Sequence, residues 1–169
     1  KIKIGFGSFI GRDVFINAKE VLIGEYTTIN HGSIIQGEKV TIGHNCWFGH
    51  YTIIDGAGIC NIGNNVGVGA HSQLWSHMKF GDVLEGCKFN SSKPLIIEDD
   101  VWFVGKSISG PIVAKSKSML LPGSFIKDNM QKNSVYMGSP ARQIKFSKQF
   151  NKRNEREKLK PQMPWEISN

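Results

Sequence analysis

Residues 40–55 read VTIGHNCWFGHYTIID, and a large apolar residue recurs in this stretch every six positions, at Ile42, Phe48 and Ile54. A small or compact residue stands two positions before each of them, and Gly or Asp stands directly after. The period is neither the 3.6 residues of an α-helix nor the two residues of a simple strand. It fits a short strand followed by a tight corner, because residues two apart share one strand face and Gly, Asn and Asp best tolerate positive φ.

The six-residue pattern runs in one phase from Ile4 to Leu74. Ile-Gly pairs begin at residues 4, 23, 42 and 62, so a longer period of 19 or 20 residues accompanies the short one. Three hexapeptides with one or two further residues therefore close one coil. We predict an all-β triangular solenoid, a parallel β-helix whose coils pair as parallel strands. Its apolar anchors are Ile4, Ile10, Ile16, Ile23, Ile29, Ile35, Ile42, Phe48, Ile54, Ile62, Val68 and Leu74.

The pattern is interrupted after these anchors. It breaks at Trp75, stays absent until Pro94, and returns in a degraded form from Ile97 to about Ile126. A regular scaffold does not lose its core over such a length without reason, and long excursions usually carry function. Residues 75–96 are therefore predicted to form an inserted active-site loop.

The C-terminal residues form a separate segment. The solenoid domain is predicted to span residues 1–145, and a basic tail follows at 146–169. Ser147 is a candidate N-cap for a short helix in this tail, and Pro161 and Pro164 end it. We favour a tail that covers the open end of the prism, because a solenoid must protect its last strand edge. The alternative is a basic helix that contacts an anionic membrane surface.

Charge is unevenly distributed along the 169 residues, whose formal net charge is +7. Residues 1–96 hold eight Lys or Arg and seven Asp or Glu, whereas residues 97–169 hold thirteen and seven. The basic C-terminal half predicts an anionic partner there, such as a phosphorylated cofactor or an anionic membrane surface. Nucleic acid is disfavoured, because the basic residues are not interleaved with stacking aromatic residues.

Hydropathy and cysteine content predict in which cellular compartment the protein resides. No apolar stretch approaches the length of a membrane span, and the start lacks a signal-peptide profile. The three cysteines form no disulfide framework, which fits a reducing cytoplasm. Cys46 and Cys60 occupy the small inward position of their hexapeptides and are expected to be buried thiols. Cys87 lies in the interruption and is interpreted as an ordinary loop residue.

Three segments after the interruption carry a family resemblance. Ile97-Glu-Asp-Asp-Val-Trp102-Phe is similar to Ile-Gly-Asp-Asn-Val-Trp-Ile, and Leu121-Pro-Gly123-Ser-Phe-Ile is similar to Gly-Ala-Gly-Ser-Val-Val. Gly138-Ser-Pro-Ala-Arg142 is similar to a closing Gly-Asn-Pro-Ala-Arg. With the hexapeptide run and the His-bearing loop, these segments resemble the left-handed β-helix acyltransferases, the hexapeptide-repeat family that moves acetyl groups from acetyl-CoA. The resemblance covers roughly residues 2–145.

The chain departs from the family pattern at several positions. Glu98 and Val104 stand where the family usually has Gly, Leu121 and Pro122 replace Gly-Ala, and Ser139 replaces Asn. The final coils are therefore expected to be irregular, and the groove for the cofactor is expected to have an unusual shape.

The resemblance implies a left-handed β-helix and a homotrimer with each active site between neighbouring subunits. It also implies that acetyl-CoA lies along the coils near the C-terminal end, and no metal is expected. The implied activity is an O- or N-acetyltransferase that acts on a sugar of a surface polysaccharide or its precursor. The sequence does not name the acceptor.

His77 is the predicted general base. Acetyl transfer needs a base near neutral pH that takes a proton as the acceptor attacks the thioester, and histidine suits this requirement best. His77 stands where the repeat gives way to the loop, which matches the catalytic position of the family. Asp82 and Glu85 follow in the same loop, and either carboxylate is expected to orient the ring or stabilise its charged form.

The predicted residues for cofactor binding lie in the C-terminal half. Trp102, at its matched position, is expected beside the acyl donor or the catalytic loop. Arg142 and Lys145 are candidate partners of cofactor phosphates, since Arg binds phosphate in bidentate fashion and Lys as a point charge. Gly105 and Gly123 complete the predicted set.

The other histidines suggest alternatives. His31 and His50 follow their anchors at the same corner of successive coils and should stack about 4.8 Å apart, which we interpret as a solvated ladder rather than a metal pair. His44 lies at another corner and is interpreted in the same way. His71 precedes His77 by six residues, and this pair resembles the γ-class carbonic anhydrases, although the tighter His spacing and upstream signatures of that class are not evident. A zinc hydratase of this kind, an antibiotic-type xenobiotic acetyltransferase and a non-catalytic scaffold stay as alternatives.

Overall fold

A computed structural model of the chain describes residues 1–144, with the backbone alone for residues 89–92. These residues form twenty strands and no helix. The strands are β1 Ile2–Ile4, β2 Phe9–Ile10, β3 Phe15–Ile23, β4 Thr28–Ile29, β5 Ile34–Ile42, β6 Trp47–Phe48, β7 Ile53–Gly56, β8 Cys60–Ile62, β9 Gly67–Val68, β10 Gln73–Trp75, β11 His77–Phe80, β12 Phe89–Ser92, β13 Leu95–Ile97, β14 Trp102–Phe103, β15 Ile108–Ser109, β16 Val113–Ala114, β17 Met119–Leu120, β18 Phe125–Ile126, β19 Val135–Gly138 and β20 Ala141–Ile144.

Strands pair with their equivalents one coil away, and the pairing is parallel along the solenoid. One path runs β2-β4-β6-β9-β14-β17-β19-β20, and another runs β16-β13-β8-β5-β7-β10-β15-β18, with β3 paired to β1 and β5. Strand β5 passes through a corner, so its first half pairs with β7 and its second half with β8. The predicted parallel β-helix is confirmed.

The core is the stack of apolar anchors that the period predicts. Phe48, Ile35, Ile54 and Leu74 are fully buried, and the anchors of successive coils lie in register. Ile4, in the first coil, is 47% exposed, because a neighbouring coil covers it on one side only.

The inward cysteine positions are buried as predicted. Cys46 and Cys60 are free thiols within the core. Burial raises the pKa of Cys46 to about 11 and that of Cys60 to about 12, because an apolar environment disfavours the thiolate. Both thiols therefore act as small core residues rather than as nucleophiles.

Glycines permit the close approach of successive coils at the corners. A Cβ on Gly69 would collide with the backbone N of Gly105 in the next coil, and one on Gly43 would collide with the carbonyl oxygen of Gly63. These contacts explain why the position after an anchor is so often Gly.

The interruption is a β-hairpin that projects from the solenoid. Strands β11 and β12 pair in antiparallel fashion from His77 opposite Ser92 to Phe80 opposite Phe89. The solenoid then resumes at β13, where Leu95 pairs with Cys60 of the preceding coil. The hairpin lies within the predicted loop at residues 75–96, but Trp75 and residues 95–96 pair with neighbouring coils, so the excursion from the solenoid is shorter than predicted. The strand pairing within it was not predicted, because the stretch lacks the alternation that marks a hairpin.

The final coils are irregular, as the departures from the family pattern predict. Ser109 replaces an apolar anchor between Leu74 and Ile126, and its buried hydroxyl has no hydrogen-bond partner among the described residues. Strands β19 and β20 close the described chain as an antiparallel hairpin. The predicted tail and its short helix, at residues 146–169, lie outside the described residues. Within residues 1–144 no helix has the length and apolarity of a membrane span.

Candidate active site

Asp55 is a buried carboxylate at a corner of the solenoid. It lies in register with Gln36 of the preceding coil and with Trp75 of the following coil. Its exposed fraction is 2%. Each of the eleven anchors from Ile4 to Val68 is followed directly by Gly, Asn, Gln or Asp, and among these eleven residues Asp55 is the one with a charged side chain. A carboxylate at this position stays buried only where hydrogen-bond donors surround it.

Four donors converge on the two oxygens of this carboxylate. Oδ1 lies 2.8 Å from His77 Nδ1 and accepts hydrogen bonds from the Ala57 N–H at 3.1 Å and the Ser76 hydroxyl at 3.2 Å. Oδ2 accepts a hydrogen bond from Gln36 Nε2 at 3.0 Å. Burial on its own would raise the pKa of Asp55, but the hydrogen bonds from Gln36, Ala57 and His77 outweigh it and hold the pKa below its ordinary value.

The ionised carboxylate selects one tautomer of His77. A carboxylate can only accept hydrogen bonds, so the proton of a neutral imidazole lies on Nδ1 and the lone pair on Nε2. Among the described residues, none forms a hydrogen bond with Nε2. The His77 side chain is 30% exposed, which leaves Nε2 able to receive a proton from a bound molecule. This is the arrangement that general-base catalysis requires.

Neighbouring residues position the imidazole. The Trp75 indole contacts the His77 ring edge to face, with ring centroids 6.0 Å apart. The Ser76 hydroxyl accepts the Gly58 N–H at 2.8 Å while it donates to Asp55, and the Ser76 carbonyl accepts the Lys93 N–H at 3.2 Å. The base of the hairpin is thereby bound to the coil that carries Asp55, so the His77 backbone has little freedom to move.

The two loop carboxylates that the sequence suggests as partners of His77 do not reach it, and this expectation is wrong. Asp82 Oδ1 accepts the N–H groups of Leu84 and Glu85 in the hairpin turn. Glu85 forms an ion pair with Lys88 at 2.8 Å. Strand β11 separates His77 from this turn, and an extended strand rises about 3.3 Å per residue. The orienting carboxylate is Asp55, which is distant in sequence and adjacent in space.

Sequence reasoning missed Asp55, although a signal was present. The coil period of 19 or 20 residues places Gln36, Asp55 and Trp75 at equivalent corner positions, and Trp75 stands two residues before His77. An acidic residue at this corner, beside the start of the insertion, marks a position where a carboxylate and the first loop residues converge.

The predicted cofactor-binding residues lie on the C-terminal coils. Trp102 is half-buried against Gly67, and the Gly123 N–H donates to the carbonyl of Gly105 at 3.2 Å, so the two predicted glycines are brought together. Arg142 is exposed on β20, with Nη1 3.5 Å from Asp128 Oδ2. The structure does not describe Lys145.

An open groove of about 460 Å³ lies at the same corner as Asp55, on the side of the earlier coils. Polar and apolar atoms both line it, and it adjoins Asp55 of the Asp55–His77 pair. The lining residues are Asn17, Ala18, Lys19, Gln36, Gly37, Glu38 and Asp55.

The remaining histidines lie on the solenoid corners. The ring centroids of His31 and His50 are 5.5 Å apart, so the two side chains lie one above the other as predicted, at a slightly larger distance and with the rings tilted by 37°. His71 stacks on Tyr51 at 5.3 Å, and His44 Nδ1 accepts the Glu25 N–H at 3.0 Å. Within residues 1–144 no group of three or more His, Cys, Asp or Glu side chains is placed to hold a metal ion.

The comparisons with known proteins concern the fold. No protein-family model and no curated protein sequence matches the chain. A variant of AntD, an N-acyltransferase from Bacillus cereus in complex with dTDP and coenzyme A, matches over 90% of both chains with 19% identity and a TM-score of 0.73. The chain has the fold of this acyltransferase. At this identity the likeness extends to the β-helix and not, by itself, to the activity.

Two further solved structures match less closely. The hexapeptide-repeat acetyltransferase VCA0836 from Vibrio cholerae, complexed with acetyl coenzyme A, has 20% identity and a TM-score of 0.52 over 84% of this chain and 69% of its own. A hexapeptide transferase family protein from Anaplasma phagocytophilum has 18% identity and a TM-score of 0.52 over 92% and 77%. The same β-helix thus recurs in proteins that carry acyl or other transferase names.

Proposed function

We propose that the protein is an acetyltransferase that moves an acetyl group from acetyl-CoA to a hydroxyl or amine of a sugar. The observation that supports this proposal is the Asp55–His77 pair, which fixes the imidazole through Nδ1 and leaves Nε2 without a hydrogen-bond partner among the described residues, beside an open groove. Structures with the same fold bind suitable substrates. AntD has been crystallised with coenzyme A and dTDP-4-amino-4,6-dideoxyglucose, and VCA0836 with acetyl coenzyme A.

The proposed reaction is a direct transfer. His77 Nε2 takes the proton from the acceptor hydroxyl or amine as its oxygen or nitrogen attacks the thioester carbonyl. The C–S bond then breaks, the CoA sulfur leaves as a thiolate, and the imidazolium returns the proton to that sulfur. Asp55 stabilises the imidazolium during the step, because an ionised carboxylate 2.8 Å from Nδ1 favours the charged ring.

The acyl donor is proposed to lie along the C-terminal coils. Trp102, Gly105 and Gly123 would border it, and Arg142 with Lys145 would contact its phosphates. Arg142 is exposed, and its Nη1 donates to the Ala141 carbonyl at 3.2 Å and lies 3.5 Å from Asp128 Oδ2. Surface contacts of this kind contribute little, so the guanidinium would exchange them for a phosphate group. We further propose a cytoplasmic homotrimer with sites between subunits, and an acceptor that belongs to a surface polysaccharide or its nucleotide-linked precursor.

Calorimetry and a thiol-release assay test the proposal. We expect saturable binding of CoA to the wild type, and an unchanged CoA affinity in His77→Ala with turnover lower by about two to four orders of magnitude. His71→Asn is the matched control, because this histidine lies one hexapeptide earlier and stacks on Tyr51 instead of bonding a carboxylate. It should retain turnover.

Two results would count against the proposal in different ways. The absence of CoA binding at millimolar concentration would reject the transferase itself. Full turnover in His77→Ala would reject only the assignment of the base.

A further inference from the structure

The groove beside Asp55 has a composition that fits one class of ligand. We propose that it is the acceptor subsite, that it binds the uncharged ring of a sugar, and that Gln36 determines its specificity. This inference rests on the proposed function, since it assigns the acceptor to a place next to the candidate base.

Gln36 presents an oriented acceptor to the groove. Its Nε2 donates to Asp55 Oδ2 at 3.0 Å, and a carboxylate cannot donate in return. The amide is therefore turned with its nitrogen towards Asp55, and its Oε1 is left to accept a hydrogen bond. None of the described residues donates to this oxygen. A ring hydroxyl or a sugar amine supplies the donor that Oε1 lacks.

Asp55 itself offers the acceptor little, because its exposed fraction is 2% and Oδ1 already has three partners. Its two oxygens already accept hydrogen bonds from Gln36, Ala57, Ser76 and His77. The carboxylate instead connects the groove to the base, with Oδ2 on Gln36 and Oδ1 on His77. A sugar bound to Gln36 is thus two hydrogen bonds away from the imidazole, through one rigid group.

The other groove residues favour a neutral ligand. Asn17 lies in register with Gln36 one coil earlier and adds a second amide. Lys19 and Glu38 form an ion pair at 2.7 Å, so their charges largely cancel along the groove wall. Amides with a neutralised ion pair suit the hydroxyl groups of a sugar ring better than a phosphate, which is bound by unpaired basic groups. The volume of about 460 Å³ lies in the range of small-molecule sites.

Saturation-transfer NMR on the full chain tests the subsite. The probes are methyl α-D-glucopyranoside and methyl β-D-glucopyranoside, both uncharged, and each is titrated to obtain its Kd. In Gln36→Met, a substitution of nearly equal size, we expect Kd for the better probe to rise about tenfold, the effect of one lost hydrogen bond in a polar site. Asn17→Ala, which does not touch Asp55, should raise it by about threefold. Gln131→Met is the control, because Gln131 is exposed on the last coils.

The outcomes separate this inference from the proposed function. Unchanged probe affinity in both Gln36→Met and Asn17→Ala, or no saturation transfer to the wild type, would overturn the subsite even if CoA binds and acetyl transfer occurs. Failure of CoA binding, with probe binding that still depends on Gln36, would overturn the transferase and leave a sugar-binding groove.

Discussion

Asp55 shows how the position of a residue decides its chemistry. Three carboxylates are candidates to orient His77, and two of them, Asp82 and Glu85, are exposed in the hairpin turn. Asp55 is buried and has four hydrogen-bond partners, which favour its ionised form. The ionised carboxylate in turn selects one tautomer of the His77 imidazole. It acts as a positioning residue, since it reaches the reacting groups only through His77.

Replacement of Asp55 by Asn tests this role. An Asn amide can donate to Nδ1, which permits the wrong tautomer of His77 while the side-chain shape is kept. We expect kcat to fall by about two to four orders of magnitude, with the Kd for CoA unchanged. Steady-state kinetics with calorimetry provide the measurement. Glu85→Gln and Asp82→Asn are the controls and should keep kcat within about twofold; equal losses in all three variants would show that the loop, not Asp55, supports the base.

The same substitution has a consequence for acid stability. The pKa of Asp55 is lowered in the folded protein, so its ionisation adds stability that is complete above the ordinary Asp value of 3.8 and is lost as pH falls through the folded pKa. Denaturant unfolding at pH values below about 4 should therefore show a steeper loss of stability in the wild type than in Asp55→Asn. Parallel pH curves for the two proteins would contradict the lowered pKa.

At the scale of elements, the solenoid corners restrict which substitutions the coils tolerate. The inserted hairpin leaves the pairing between coils intact. The coil path continues from β8 to β13 in register although residues 77–92 intervene, so the hairpin is an insertion into a complete solenoid. The turn of the hairpin is held by Asp82, and its Val83 and Leu84 are 80% and 98% exposed. The solenoid thus supplies rigidity, and the insertion carries the candidate base at its first residue.

The glycine corners provide a stability test at this scale. Gly69→Ala would place a Cβ against the backbone of Gly105, which cannot move without breaking the coil pairing, whereas the nearest atom to a Cβ at Gly110 is 3.8 Å away. We expect Gly69→Ala to lower the free energy of unfolding by about 1–3 kcal/mol. Gly110→Ala should change it by less than about 0.5 kcal/mol. Chemical denaturation of both variants decides the matter, and equal values would show that the coils adjust more freely than the contacts indicate.

For the whole molecule, a solenoid is a stack in which each coil contacts its neighbours alone. Anchors in the middle coils are covered on both sides, and those of the first coil are covered on one. The contribution of an anchor to stability therefore depends on its place in the stack as well as on its size.

Two isoleucines in the same register measure this dependence. Ile54 is fully buried between two coils, while Ile16 lies in the first coil and is partly buried. We expect Ile54→Ala to lower the free energy of unfolding by about 2–5 kcal/mol, because it leaves a cavity that the coils cannot close. Ile16→Ala should lower it by about half as much or less. Equal losses from urea unfolding would indicate that the first coil is covered by another surface, such as a second copy of the chain.

The sequence by itself determined the repeating architecture of this protein. A six-residue period within one of 19 or 20 residues leaves few alternatives to a three-sided coil, so the core anchors, the buried thiols Cys46 and Cys60, and the place of the insertion follow from local patterns. The candidate base His77 also follows, because it stands at the end of the pattern.

Only the tertiary structure decided what surrounds His77. The residues that meet there come from three different coils, and their side chains converge because parallel coil pairing places positions 36, 55 and 75 at one corner. Nearness along the chain favoured Asp82 and Glu85, but an extended strand carries them away from the ring. The partner of a site residue depends on the register between coils and on the direction of each side chain, and neither quantity is contained in a local pattern.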